Sequence, residues 1–385
     1  MGKVGAVAIL IAAEIAVLGL WFSSSAVLTD MAAEAGRTPA SLAGLATAVQ
    51  IGFAAGALAF AGLGLADRYD PRMVFCLSGL VASAATLGLL VVEIGATAAL
   101  ALRALTGAAM AGVYPVGMKI AVGWGTRDRG FLVGLLVGAL TLGSASPHLV
   151  ALLGGADWRL TLIATATIAA LGAVAILATR LGPHHARAPR LDPGAFALAV
   201  RAPRLRLAIL AYLGHMWELY AFWAWVGAIA VAGGAAAATA SLTAFAAIAL
   251  GGVACVPAGW LADRLGRARV AFACLVLSGT AGVAAALVFG GPLWLLVGVL
   301  IVWGIAVIPD SALYSTLVAD AAPPERAGSL MTLQTALGFL LTAITVQGLP
   351  WLASAVGWPA ALATLALGPI AGGWALRGLM RFEYE

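Results

Sequence analysis

Three ionisable residues stand inside long apolar runs: Glu14 in "AILIAAEIAVLGLWF", Arg103 in "LALRALTGAAMAG" and Glu218 in "HMWELYAFWAWVGA". A charge in that much hydrocarbon is expensive to keep and is normally retained for function. A carboxyl there can take up or release a proton when water reaches it from one side or the other. Burial and a neighbouring cation act in opposite senses on a carboxyl's proton affinity, so a moving Arg would switch it. His215, one helical turn before Glu218, adds an imidazole on the same face. Glu14, Arg103, Glu218 and His215 are therefore the candidates for proton coupling. Two plainer arrangements stay open: a static Glu14–Arg103 pair that only holds helices together, and a hydrogen bond from Glu218 to His215.

Each of these groups has neighbours at helical spacing. Glu14 aligns with Leu18, Trp21 and Ser25, and Arg103 with Gly107, Met110 and Tyr114. His215 and Glu218 align with Phe222 and Trp225. A fourth stripe carries Trp303, Val307, Asp310 and Tyr314. The stripes mix polar with aromatic residues, where a lipid-facing stripe would be plainly aliphatic. Aromatic walls with few polar groups suit a small organic solute, although ordinary packing explains them equally well. Lys119, near a helix end, reads as a snorkelling side chain. His148 is open between a protonated and a merely hydrogen-bonded role.

The elements that must hold these residues follow from composition. Of 385 residues, 63% are apolar and 10% charged, far from the balance of a soluble chain. The apolar runs are continuous rather than alternating, which favours helices over a barrel. The length rule predicts about twelve spans, roughly 5–29, 39–65, 71–92, 95–124, 131–153, 157–179, 205–231, 239–262, 268–290, 293–318, 327–352 and 357–379. The N-terminal run contains Glu14 and no clean cleavage site follows it, so it reads as a retained helix.

Lys and Arg fall almost entirely on one side of these spans. Only Arg37 and Arg159 fall on the other, while Arg68, Arg72, Arg127, Arg187, Arg190, Arg264, Arg267 and their fellows share the first. That side is expected to be cytoplasmic, with both termini there, in an inner membrane. The net charge of +5 is thus a topology signal and does not point to nucleic acid. Cys76, Cys255 and Cys274 lack ligand-like spacing and read as small buried hydrophobes. No metal site or cofactor is expected. No nucleophile with its base and no phosphate loop appears, so the chain is not read as an enzyme or as driven by ATP.

The polar stretch "RLGPHHARAPRLDPGAFALAVRAPRLR" divides the chain into 1–180, a cytoplasmic linker 181–204, and 205–385. His184 and His185 in it read as part of a solvated linker. The halves resemble each other. Asp67 maps to Asp263 and Trp21 to Trp217 at one offset, and Gly130 maps to Gly328 at nearly the same one. Six spans per unit make this a parallel structural repeat, a common build for transporters.

The repeated turn is the most specific signal. "GWLADRLGR" supplies Gly259, Leu261, Ala262, Asp263, Arg264, Gly266 and Arg267; the first copy keeps Leu65, Ala66, Asp67 and Arg68 but has Leu63 for a glycine and Asp70-Pro71 for Gly-Arg. The pattern resembles the loop signature between the second and third helices of the major facilitator superfamily. "LALRALTGAAMAG" resembles a fourth-helix motif of the same family through Arg103 and Gly107.

The resemblance implies an all-α membrane fold of two pseudo-symmetric six-helix bundles. Its first, fourth, seventh and tenth helices would line a central cavity. Trp21, Ser25, Met110, Tyr114, Phe222, Trp225, Trp303 and Tyr314 would then contact substrate, and Arg103 would tune an acid for proton transfer. Asp67, Arg68, Asp263, Arg264, Arg267 and Asp310 would form a cytoplasmic gate, in which a carboxylate faces a neighbouring helix N-terminus. Glycines 134, 138 and 143 with Pro147 echo an antiporter motif incompletely, and close helix packing explains them equally well.

The expected function is secondary transport of a small organic solute by alternating access, coupled to protons and carried out by a monomer in the lipid bilayer. An uncoupled facilitator, or a non-transporting receptor on the same fold, are the rival readings. Arg103 favours an anionic substrate and Glu14 with aromatic residues a cationic one, so the sign of the substrate stays open, as does the direction of transport.

Overall fold

The computed structural model describes residues 2–125, 128–154, 157–185, 192, 194–323 and 325–382. Arg127, Arg187 and Arg190, assigned above to the basic face, lie outside them. All regular structure among the described residues is helical, with no strand among them. Eleven helices are long and apolar enough to cross a membrane. The twelfth, Pro203–Ala232, has 30 residues. Its His215, Glu218 and first-turn arginines lower its hydropathy without shortening it.

The spans are Lys3–Ala26, Pro39–Arg68, Pro71–Gly88, Thr97–Val122, Phe131–Gly154 and Trp158–Ala178 in the first half. In the second half they are Pro203–Ala232, Ala237–Leu265, Arg267–Val288, Leu293–Ala321, Ala327–Val356 and Trp358–Arg381. Each matches an expected run to within a few residues. By contacts the chain forms two compact units, Met1–Ala188 and Pro189–Glu385.

Two spans are broken at equivalent places of the repeat. The fourth runs Thr97–Met110 and resumes at Tyr114–Val122; the tenth runs Leu293–Val307 and resumes at Ser311–Ala321. Proline is the cause in both. Pro115 and Pro309 have no N–H to give, and their rings clash with the carbonyl four residues back. Pro115 is instead taken into the first turn of the new helix, where a missing N–H costs nothing.

Glycine brings these broken spans against their neighbours. A β-carbon on Gly107 would lie 2.0 Å from Val49 O, and one on Gly304 would lie 2.3 Å from Ala247 O. The second and fourth spans thus meet backbone to backbone, and so do the eighth and tenth. Lipid gives helices no hydrophobic reason to associate, so such close van der Waals contact must hold them. The outward faces carry exposed aliphatic side chains such as Leu77, Leu171 and Ile344, as a lipid-facing surface requires.

The segment expected to be a solvated linker is docked where it is described. His184 N–H donates to Gly123 O at 3.0 Å, and the Gly182 backbone lies against Gly123. Residues Gly194–Arg201 form a helix packed on the seventh and eleventh spans. Its buried Ala195 and Ala199 lie one turn apart, and the Asp192 carboxylate accepts from Gly194 N–H at 2.8 Å.

Candidate functional site

In the first unit Glu14 is completely buried. Neither carboxyl oxygen has a hydrogen-bond partner among the described residues. Its Oε1 occupies the space beside Gly117, where a β-carbon would stand 1.9 Å away. Gly117 lies in the segment that restarts after the break of the fourth span, so the break decides what Glu14 faces.

Arg103 is equally buried but has different partners. Its Nη2 donates to Trp21 O (2.7 Å), Nη1 to Leu20 O (3.1 Å) and Ser23 Oγ (3.4 Å), and Nε to Leu45 O (3.4 Å). The guanidinium therefore ties the first, second and fourth spans through backbone carbonyls. The static Glu14–Arg103 pair is not formed: among the described residues no ion pair joins them. The carbonyls that Arg103 grips lie about 9 Å along the first helix from Glu14, at a rise of about 1.5 Å per residue.

Of the other first-unit candidates, Trp21 packs on Phe53 with ring centroids 4.7 Å apart. Ser25 Oγ is buried without a hydrogen-bond partner. Met110 is buried at the end of the first segment of the fourth span, and Tyr114 is half-buried at the start of the second. Gln50 escapes the sequence reading. It is 1% exposed with an unpartnered Oε1, and an amide inside the apolar second span is the signal that could have found it. His148 is buried on the fifth span with Nε2 unpartnered. On that span Gly134 and Gly138 touch nothing, whereas Gly143 packs on Ile15 and Leu18.

In the second unit the seventh, ninth and tenth spans converge. Glu218 Oε1 accepts from Ser278 Oγ, and Oε2 accepts from Trp303 Nε1 at 3.4 Å. Glu218 is thus paired with Ser278 and Trp303 rather than with His215. His215 Nε2 lies 2.8 Å from Ser311 Oγ. Its Nδ1 stands 3.1 Å from Asp310 Oδ1, within ion-pair distance but off the line of a hydrogen bond. Tyr314 O–H donates to Asp310 Oδ2 at 2.8 Å, and the Tyr314 ring lies 5.0 Å from that of His215. Phe222 packs on Trp303 with centroids 4.6 Å apart. Trp225 Nε1 donates to Val346 O at 2.9 Å, which ties it to the eleventh span.

Asp310, expected in the gate, is buried. The structure puts it in the break of the tenth span, 1% exposed and bonded to Tyr314, not in the charged loop.

The two copies of the turn are built differently. In the first, Gly64 takes a left-handed φ of 61° and a short helix Leu65–Arg68 follows. Asp70 then caps the third span by accepting from Arg72 N–H at 2.9 Å, with Pro71 in its first turn. The Arg72 side chain donates to the same carboxylate and holds Asp70 below the usual carboxylate range. Its Nη1 also reaches Thr179 O at 3.1 Å. In the second copy the helix continues to Leu265 and stops at Gly266, φ 96°. The Asp70-Pro71 departure thus replaces a glycine stop with a carboxylate cap.

The motif charges also find partners on the broken spans. Lys119 donates to Ala66 O at 2.9 Å and pairs with Asp67. Arg267 pairs with Asp320. Lys119 is therefore a partner of the motif aspartate and not simply a snorkelling side chain. Arg264 lies over the Trp260 ring at 3.7 Å, while Arg68 and Asp263 are exposed.

The family profile described as Major Facilitator Superfamily matches residues 9–346. The chain belongs to that superfamily. Among solved structures, a point mutant of the nucleoside transporter NupG superimposes with a TM-score of 0.72 at 14% identity, covering 97% of this chain and 99% of the other. A D-xylose-proton symporter superimposes with a TM-score of 0.77 at 14% identity, covering 97% and 96%. A search of curated proteins gave no match.

As a member of the Major Facilitator Superfamily the chain is an integral membrane protein and a secondary transporter rather than an enzyme. Within that fold, the interior offers two kinds of ionisable site. Glu14 is a carboxyl with no donor among the described residues. Glu218 and Asp310 are carboxyls each held by at least one donor, with His215 beside them. Among the described residues no group of three His, Cys, Asp or Glu side chains is placed to hold a metal ion.

Proposed function

We propose that this superfamily member carries a small organic solute across the cytoplasmic membrane by alternating access, as a monomer with both termini in the cytoplasm, in exchange or concert with protons. Glu14 carries the reading. An ionised carboxylate buried without a donor is strongly disfavoured, so Glu14 holds its proton in this arrangement. When movement of the fourth span opens it to water, it can release that proton. Glu218 and His215, each with polar partners, supply a second place for a proton. Arg103 serves by fixing the first span against the second and fourth.

The test uses purified full-length protein in proteoliposomes with a pH-sensitive dye inside. Organic anions, cations and neutral solutes are added in turn. A solute-dependent pH change that disappears in Glu14→Gln supports the reading. Solute entry without proton movement, with Glu14→Gln transporting normally, replaces it with an uncoupled facilitator.

A further inference from the structure

From the inventory of polar atoms in the first unit we infer that Glu14 is a shared site, holding either a proton or the positive group of an organic cation, so that the solute is a cation exchanged for protons. This rests on the proton-coupled reading above and adds the sign of the substrate.

The first observation concerns Arg103, the residue that favoured an anion. All three guanidinium nitrogens already donate, to Leu20 O, Trp21 O, Leu45 O and Ser23 Oγ. That leaves a single N–H, on Nη2, for an anionic solute, too few for the paired contact by which a guanidinium holds a carboxylate or phosphate.

The second concerns the acceptors. Both oxygens of Glu14 and Oε1 of Gln50 are buried without partners among the described residues. Glu14 and Gln50 lie at similar depth, since each stands about 8–9 Å along its helix from the carbonyls that Arg103 grips, Leu20 and Leu45. An unpartnered set dominated by acceptors is complementary to a donor or a positive charge. The Trp21–Phe53 pair adds aromatic faces, which attract organic cations.

The third concerns competitors. The first span packs on the second to sixth. Of the charged groups those spans bring, Lys119 is committed to Asp67, Arg72 to Asp70 and Arg159 to Glu34; on the first span's own end Lys3 pairs with Asp128. Arg103 is committed to carbonyls, and His148 is buried on the fifth span. None of these cations neutralises Glu14, so a proton or a cationic ligand must. The two exclude each other on one carboxyl, which makes the coupling an exchange.

The test compares three probes of similar shape on the purified full-length protein: phenyltrimethylammonium, tert-butylbenzene and benzenesulfonate. Binding is measured by calorimetry in buffers of different ionisation heat, which counts protons released. The expected result is that only the ammonium binds, releases about one proton, and tightens about tenfold or more between pH 6 and pH 8. Glu14→Gln should lose both the binding and the release, and Glu14→Asp should restore part of each.

Preferential binding of benzenesulfonate overturns the inference. So does ammonium binding that releases no proton, and so does failure of the ammonium to bind to wild-type protein. The transport reading fails separately, when protons do not move with any solute in proteoliposomes.

Discussion

The Glu14 carboxyl of the first span fills the space that Gly117 of the fourth leaves open, with a β-carbon at residue 117 falling 1.9 Å from Oε1. Gly117→Ala must therefore turn the carboxyl aside. The clashing atom is the far end of a flexible side chain, so stability should fall by only about 1 kcal/mol. Transport should fall by about tenfold or more, because the group proposed to carry the proton is displaced. Normal transport by well-folded Gly117→Ala protein in proteoliposomes would contradict this role for the contact.

Arg103→Lys should behave as a structural lesion. A single ammonium cannot reproduce three nitrogens bonded to carbonyls on two helices. A loss of about 2–4 kcal/mol is expected, at about 1.5–3 kcal/mol for each charged hydrogen bond lost and incomplete replacement. Thermal unfolding in detergent, followed by size-exclusion chromatography, checks it. An unchanged midpoint would show that the clamp does not hold the helices.

Glycine substitutions separate packing from composition. Gly107→Ala and Gly304→Ala each drive a β-carbon into a backbone carbonyl of the neighbouring span and should destabilise by about 1–3 kcal/mol. Gly134→Ala and Gly138→Ala meet nothing within 4 Å and should be neutral. Equal effects at all four positions in the same unfolding assay would argue against the close contacts.

Asp67 and Lys119 are partly buried, with side-chain exposures of 24% and 17%. Asp67→Asn and Lys119→Gln should each slow transport, and the double variant should be no worse than either alone. A coupling of about 0.5–3 kcal/mol is expected from the double-mutant cycle. Additive effects on the transport rate would mean that the two residues act independently.

Glu34 supplies a pH dependence on the opposite face. It accepts from Arg159 Nη1 and Nη2 at 2.6 Å and from Trp158 Nε1 at 2.8 Å. These bonds, the Arg159 ones first, lower its pKa from 4.5 to about 2. A depressed carboxyl stabilises the fold fully above its ordinary pKa, and the contribution is lost as pH falls through the lower value. Between about pH 4.5 and 2, hydrogen exchange of residues 28–34 should rise in wild-type protein and be flat in Glu34→Gln. A wild-type profile as flat as the variant's would remove Glu34 as the cause.

Span number, span limits and the repeated turns are legible in the amino-acid sequence because each is local. An apolar run of sufficient length must cross the bilayer as a helix, whatever packs against it. Asp70-Pro71 announces a different helix start, since proline fits a first turn and aspartate caps it. The burial of Glu14, Arg103 and Glu218 is legible for the same reason, since their neighbours in sequence are apolar on both sides.

Partners are not legible there. Arg103 holds the carbonyls of Leu20, Trp21 and Leu45 instead of Glu14, Lys119 reaches Asp67, and Asp310 joins His215 and Tyr314 inside the break of the tenth span. Sequence alone determined which runs are long and apolar enough to cross the membrane, because transfer from water depends on the local run. Only the tertiary structure decided which of them meet, because that depends on which helices pack side by side and on where Pro115 and Pro309 break them.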